Sequence, residues 1–557
     1  MRAIFYLAIP AAMTALNLLF ASVVVTVFHP RARGVAAQQP GHFGDIKIVH
    51  RPTEPEPYLK LKEEANKALE DDSDEFCKEF VEDEKDPMLR AMPIDQPPYY
   101  KDVYVKADIS SFYREEPGSR VEVKPKFNGQ ACRFTNLSPY RTKLYWESDV
   151  GKAHFIGNVG PWEAGGTACF PNHKFYFQRH DTKEIVCRWL SKPGTLAYYF
   201  DPFVEKGDDE QFVAMQGDYA EGVQMSLSSL KPKDLQQYKA HRFNLKFAAE
   251  YKNFTGGSEW LAMYPKDPPS HPMWRADYFG QTHTVTSRET HFQEIPPDAN
   301  GELGDKYAVK RNSTSSIAYP DYRLPGEMNI TIKAVSCAPR AFQLDNFLSE
   351  VEVDHVLDIV TGRYQLKRST TGSLSGEREE SEMSDTRTSK NTWVPRTASP
   401  ILDAIYRRVA DALRLDEALL RKRSPSEPNP RPHINFGDEE WRSLEPINEQ
   451  IQLVHYKDGA EYTAHHDFGY SDIASRSINL CIYLNEGMTG GETKFPRARS
   501  AESDDGIPMV PQKGKAMIFY MVNPDGNLDD LTQHAAMPVT QGEKWFANLW
   551  IWDPFRE

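Results

Sequence analysis

The sequence predicts a multidomain protein: an N-terminal transmembrane anchor, a β-sandwich-rich middle region and a C-terminal α+β domain that ends in a β-barrel-like core. Three observations carry this. At 557 residues the chain exceeds one ordinary hydrophobic core. A long apolar run opens it. Its texture then changes twice, from polar and acidic to short aromatic and β-branched runs, and finally to helical periodicity followed by strands. With 26% charged and 40% hydrophobic residues, the composition is that of a globular protein with some linker. A net charge of −14 and a pI near 5.7 argue against general nucleic-acid binding.

Arg2 precedes an apolar run from Ala3 to Phe28, and Arg31 and Arg33 follow it. At ~1.5 Å per residue a helix over this run reaches about 39 Å, enough to cross a ~30 Å hydrocarbon core with tilt. Val35-Ala36-Ala37 is a poor cleavage site, so residues 1–33 read as an uncleaved signal anchor. The sequons Asn253-Phe-Thr255, Asn312-Ser-Thr314 and Asn329-Ile-Thr331 point to a lumenal glycoprotein, and Asn136-Leu-Ser138, followed by Pro139, is a weaker acceptor. Together these predict a single-pass type II protein of the endoplasmic reticulum or Golgi membrane. Its six cysteines can form disulfides there, in pairings that spacing does not fix.

Residues 34–118 are polar, acidic and proline-containing, and read as a stem. Residues 119–239 hold short runs such as Ala131-Cys-Arg-Phe-Thr135, Thr142-Lys-Leu-Tyr-Trp146 and Ile185-Val-Cys-Arg-Trp189, a pattern expected of a β-sandwich. From Phe134 through Trp146, Gly160-Pro-Trp162 and Gly166-Thr167 to Phe177 the chain resembles the β-domain of the von Hippel–Lindau tumour suppressor. Residues 240–334 are expected to be a second β-rich region, and the middle region as a whole offers a surface for a protein partner. In 335–557, Ser349-Glu-Val-Glu352 is a capping box with Val353, Val356, Leu357 and Val360 on one helical face, and Ser399-Pro400 opens a second helix. Strands follow from Ile451.

The chemistry lies in the last hundred residues. Tyr456, Gly459 and Tyr462 lead into His465-His466-Asp467, and His534 and Lys544 follow downstream. In a strand, side chains at i and i+2 share a face, so His465 and Asp467 point at one metal and His466 points away. Two imidazoles and a carboxylate form the ligand set of a non-haem Fe(II) oxygenase, with positions left open. Lys544 offers a fixed positive charge to an anionic co-substrate. Pro538–Gly542 read as a turn that sets His534 and Lys544 on adjacent strands. By period two Phe546, Asn548 and Trp550 share the face of Lys544, which makes Trp550 a pocket wall.

The strings Tyr-x-x-Gly-x-x-Tyr-x-x-His-x-Asp (456–467) and His-x-x-x-Pro-Val-x-x-Gly-x-Lys-Trp (534–545), with Pro339-Arg-Ala-Phe342 and Arg387-Thr-Ser389 upstream, are similar to the prolyl 4-hydroxylase family of Fe(II)/2-oxoglutarate dioxygenases. The resemblance spans about Cys337 to Pro554. It implies a double-stranded β-helix (jelly-roll) with iron between two sheets, and Fe(2+), 2-oxoglutarate, O2 and ascorbate as cofactors and co-substrates. His465, Asp467 and His534 match the metal ligands, and Lys544 matches the lysine that pairs the distal carboxylate of 2-oxoglutarate. Tyr456 and Thr493 match positions that hydrogen-bond the co-substrate. Arg476 matches a position linked to peptide binding. The implied reaction is hydroxylation of peptidyl proline at C4, of the procollagen-proline type, coupled to formation of succinate and CO2. Two other readings stay open from the residues alone: oxidation of another residue or a small molecule, and an interaction protein built on the β-rich middle with a vestigial catalytic domain.

Overall fold

The computed structural model describes residues 126–203, 217–254, 258–262, 269–276, 279–293, 323, 325–369, 387–432, 434, 436–470, 474–498, 505–553 and 556. The anchor, the stem, the Asn312 sequon and most of the Ser369–Thr386 and Ala501–Gly506 loops lie outside them. No helix among the described residues is long and apolar enough to cross a membrane. The chain divides into Met1–Tyr99 and Tyr100–Glu557, and every described residue belongs to the second unit.

Two sheets form the first part of that unit. Strands β1 (Gln130–Asn136), β4 (Ala164–Cys169) and β7 (Ala197–Phe200) make one, in the order β4-β1-β7. Strands β2 (Thr142–Glu147), β3 (Ala153–Val159), β5 (Lys174–Arg179), β6 (Ile185–Leu190) and β8 (Asp218–Tyr219) make the other, in the order β3-β2-β5-β6-β8. Alternate residues face each other across the gap: Cys132 and Phe134 meet Leu144, Phe175, Phe177, Cys187 and Trp189. A Cys132–Cys169 disulfide ties β1 to β4, while Cys187, Cys337 and Cys481 are buried thiols. Asn136 is fully buried and donates to the carbonyls of Tyr140 and Gly160, which leaves no access for a glycan. The exposed Asn329 keeps that access.

Among the described residues of 240–334, two strands are accompanied by helical structure where only a β-rich region is expected. Helix α1 (Pro232–Phe254) runs across the expected boundary. Tyr238, His241, Leu245 and Ala248 recur at helical spacing and are buried, with Tyr238 and Leu245 packing on Leu137, Trp162 and Tyr199 of the sandwich. At its far end the Tyr251 hydroxyl donates to Asp525 (2.6 Å), and the Leu261 N–H donates to Asn527 (2.8 Å). Strands β9 (Thr282–Ser287) and β10 (Met328–Ser336) pair with each other and join the C-terminal sheet through β11 (Ala341–Leu344). In β10, Ile330, Ile332 and Ala334 point into the C-terminal core, so that core begins well before residue 335.

The C-terminal sheet has nine strands in the order β12-β13-β14-β23-β16-β20-β11-β10-β9. Its remaining members are β12 (Lys367–Arg368), β13 (Lys390–Val394), β14 (Ile451–Tyr456), β16 (Ser475–Tyr483), β20 (Ala516–Tyr520) and β23 (Lys544–Asp553). Facing it, β15 (Tyr462–His465), β21 (His534–Ala536), β18 (Thr493–Phe495) and β19 (Ile507–Met509) form a four-stranded sheet, and β17 (Thr489–Gly490) pairs with β22 (Val539–Gln541). This is the jelly-roll arrangement. Strand alternation gives the large sheet two different faces. Ile478, Leu480, Ile482, Ala547, Leu549 and Ile551 pack with helices α2 (Glu350–Arg363) and α3 (Pro400–Leu413). Asn479, Cys481, Lys544, Asn548 and Trp550 occupy the opposite face.

Both helices start where the sequence places them: Ser349 and Glu352 form a reciprocal capping box, and Ser399 caps α3 with Pro400 at its first position. Glu352 has a second task. Its carboxylate accepts from Arg408 at 2.7 and 2.8 Å, and both side chains are fully buried. Arg408 also donates to the carbonyls of Glu289, Thr290 and Phe347. Removing one partner strands a buried charge. Arg408→Ala is therefore expected to lower stability by about 3–5 kcal/mol, read as a fall in the urea midpoint at unchanged m-value.

Candidate metal and co-substrate site

His465 ends β15 and pairs with His534 at the start of β21. Asp467 lies two residues beyond the strand, not within it as the i, i+2 argument assumes, because the ladder stops at the His465–His534 pair. The chain bends at Asp467 and nevertheless brings all three side chains together, with one donor atom of each within 4.8 Å of the others. The Nε2 atoms of His465 and His534 lie 3.5 and 3.6 Å from the Asp467 carboxylate, beyond hydrogen-bond reach.

The ring tautomers follow from their other contacts. His465 Nδ1 faces the Thr463 carbonyl at 2.8 Å, and His534 Nδ1 faces the Thr532 carbonyl at 2.9 Å. A carbonyl can only accept, so each Nδ1 carries the proton and each Nε2 turns a lone pair inward. Two imidazole lone pairs and an anionic oxygen thus converge with no proton between them, an arrangement that a divalent cation stabilises. Burial pushes the His534 imidazole down to about 4, keeping it in the neutral, ligating form. Burial acts to raise the Asp467 carboxyl, but His534, His465 and Arg476 hold it well below its ordinary range.

The surroundings fix the carboxylate. Asn479 Nδ2 (2.8 Å) and Trp550 Nε1 (3.0 Å) both donate to Asp467 Oδ2, leaving Oδ1 toward His465. Trp550 is thus more than the expected wall: its indole N–H holds the ligand. Trp550→Phe keeps the ring and loses the donor, and is expected to weaken Fe(II) or Co(II) binding roughly 10- to 100-fold in metal titration. Sequence reasoning missed the role of Asn479. The available signal was an amide just before the apolar run Leu480–Tyr483, on the strand Ser475–Tyr483. It also gave no role to Tyr462 beyond its place in the motif. The Tyr462 ring stacks on His465 with centroids 3.5 Å apart, under the Arg387 guanidinium. His466 turns to the far side, where its Nε2–H donates to the Asp530 carbonyl (3.0 Å).

Arg476, matched to a position linked to peptide binding, is held in a salt bridge. Its guanidinium forms a two-pronged pair with Glu449 (2.5 and 2.9 Å) and lies 4.1 Å over the Trp550 ring. Paired in this way it supports Trp550 from behind, and it has fewer N–H groups left for a ligand.

Lys544 and His534 are not on adjacent strands. Strand β22 intervenes and pairs with β17, and the chain crosses from one sheet to the other. Lys544 opens β23 beside Tyr456 of β14, and its Nζ reaches Thr493 Oγ1 (3.4 Å) on the facing sheet. Tyr456, Tyr483 and Phe546 surround the ammonium at 4.8–5.6 Å. Lys544 is 1% exposed and, among the described residues, pairs with no carboxylate. Burial pushes it down to about 7. The buried Cys481 thiol, pushed up by burial and by Asp467, donates to Asn479 Oδ1 (3.4 Å) and Asn548 Oδ1 (3.3 Å). A buried ammonium at one end and a metal ligand set at the other suit a dicarboxylate that reaches both.

Residues 451–552 match the family model described as the 2OG-Fe(II) oxygenase superfamily. Among curated proteins, the chain is 30% identical to probable prolyl 4-hydroxylase 4 of Arabidopsis thaliana over 240 residues, covering 40% of this chain and 70% of that protein. It is 29% identical to prolyl 4-hydroxylase 2 of the same plant, covering 40% and 69%. Among solved structures, it is similar to the viral collagen prolyl hydroxylase of Paramecium bursaria Chlorella virus-1 in its 2OG complex, with 23% identity, 38% of this chain and 95% of that one covered, and a TM-score of 0.26. A Pseudomonas putida prolyl-4-hydroxylase gives 20% identity, 39% and 92% coverage, and a TM-score of 0.25. The protein is a 2-oxoglutarate-dependent dioxygenase that uses Fe(II), 2-oxoglutarate and O2. By its identity to the plant enzymes over more than two thirds of their length, the chain belongs to the prolyl 4-hydroxylase family.

Proposed function

We propose that this enzyme hydroxylates peptidyl proline at C4 in proteins of the secretory pathway, with the catalytic domain in the lumen. The observation that carries the reading is the convergence of His465, Asp467 and His534 in a chain whose relatives are named prolyl 4-hydroxylases. His465, Asp467 and His534 would hold Fe(II), which would supply the oxidising chemistry for hydroxylation of a substrate C–H bond at the expense of 2-oxoglutarate. The residues of the chain do the rest. Lys544 and Thr493 receive the distal carboxylate, Tyr483 and Phe546 exclude water around it, and Asn479 and Trp550 keep Asp467 turned toward the metal position. Ascorbate fits the same scheme as a reductant. The Cys132–Cys169 disulfide and the exposed Asn329 sequon support an oxidising, glycosylating compartment, to which the apolar run of residues 3–28 would tether the protein.

The test is succinate release by the full chain with Fe(II), 2-oxoglutarate and proline-containing peptides, with the modified residue located by mass spectrometry. One added oxygen on proline is expected. Oxygen on another residue, or succinate only with a small molecule, would replace the substrate in this reading.

A further inference from the structure

The site is built from both halves of the described unit. Asp530 lies four residues before His534, in the short turn Asp530–Thr532 whose last carbonyl accepts from His534 Nδ1–H. Its main-chain carbonyl accepts from His466 Nε2–H (3.0 Å), and His466 is the residue between the other two ligands. Arg497 donates to the same carbonyl (3.0 Å) and pairs with the carboxylate. The carboxylate's Oδ1 accepts the backbone N–H of Ala131, at 2.6 Å, from strand β1 of the sandwich. One residue therefore touches the segment that carries His465 and Asp467, the segment that carries His534, and the edge of another domain.

A second contact runs beside the first. The Tyr470 hydroxyl lies 3.5 Å from His466 Nδ1, the acceptor nitrogen of that ring. The Tyr470 ring seats on Gly166 of β4, where a Cβ would come within 2.5 Å of it. The absence of a side chain at Gly166 lets the two domains close at this point. A third contact is Gln533, fully buried next to His534, whose amide lies 3.1 Å from where a Cβ on Gly129 would stand. Ala131, Gly166 and the Cys132–Cys169 bridge all belong to the paired strands β1 and β4.

We propose that the β1–β4 edge of the sandwich is a structural component of the metal site and that Asp530 is the positioning residue through which it acts. The sandwich is then a buttress for the ligand segments, fixing the separation of His465 and Asp467 from His534 before metal arrives. The inference rests on the metal-site reading but not on the identity of the substrate.

The experiment is Co(II) titration of the full chain, followed by the d–d absorption of the bound ion, for wild type, Asp530→Ala and Asp530→Asn. Wild type is expected to bind. Asp530→Ala should weaken binding roughly 10- to 100-fold and shift the band. Asp530→Asn keeps an oxygen for the Ala131 N–H and should restore affinity to within about threefold of wild type. Unchanged affinity and spectrum in Asp530→Ala would overturn the proposal. A loss in Asp530→Asn as large as in Asp530→Ala would assign the effect to the Arg497 ion pair and overturn the role of the sandwich. If Asp530→Ala does not fold, Tyr470→Ala takes its place: weaker Co(II) binding with cooperative melting retained is expected, and wild-type binding sinks the idea. A wild-type chain that takes up no Co(II) would overturn the metal-site reading itself.

Discussion

His534→Ala is expected to abolish turnover while leaving the fold intact. The side chain is 7% exposed and sits in an aromatic setting, with Phe519 at 5.0 Å and Phe495 at 5.7 Å, so its loss leaves a small cavity that the surrounding rings tolerate. Its function is different in kind. It is one of three groups whose lone pairs converge, and its neutral imidazole has its proton committed to the Thr532 carbonyl. Two remaining ligands hold a divalent ion far more weakly than three. Succinate release and peptide hydroxylation should both fall below detection, with the melting transition still cooperative. Wild-type succinate release by the variant would remove His534 from the metal site.

Lys544→Met is expected to act on the co-substrate alone. Methionine fills the same volume between Tyr456, Tyr483 and Phe546 and removes the charge. A charge-assisted contact to a carboxylate in a dry pocket contributes about 1.5–3 kcal/mol, so the KM for 2-oxoglutarate should rise roughly 10- to 100-fold. Metal affinity should be unchanged. The wild-type enzyme carries a related pH signature. Burial holds Lys544 near pKa 7, so without an anion the ammonium is present below pH 7 and lost above it. A dicarboxylate binds the charged form, which means that KM for 2-oxoglutarate should increase as pH rises past about 7, by up to about tenfold per unit. The Lys544→Met variant should lack this dependence. A flat KM between pH 6.5 and 9 in wild type would show that another group receives the anion.

Stability rests on features such as the Glu352–Arg408 pair, whose helix-capping half is readable in Ser349-Glu-Val-Glu352 but whose arginine, 56 residues later, is not. The capping box and Ser399-Pro400 are local signals, satisfied within a turn of chain, and the two helices start where those signals stand. Helix α1 was also present in the pattern, since Tyr238, His241, Leu245 and Ala248 recur at helical spacing. Its polar composition masked it, because what it buries includes His241 and Tyr238, whose partners are in other elements.

The ligand set was legible in residue type and order. Residue type and order in two short strings single out His465, Asp467, His534 and Lys544, and strand alternation already separates Trp550 and Lys544 from the apolar face of β23. What surrounds them follows from contacts between distant parts of the chain. That Asn479 and Trp550 hold Asp467, that Arg476 is tied to Glu449, that β9 and β10 extend the catalytic sheet and that Ala131 reaches Asp530 all depend on contacts across tens to hundreds of residues. Local rules of periodicity and capping act over one or two turns of chain, and they carry no information about which distant donor will meet a given buried acceptor.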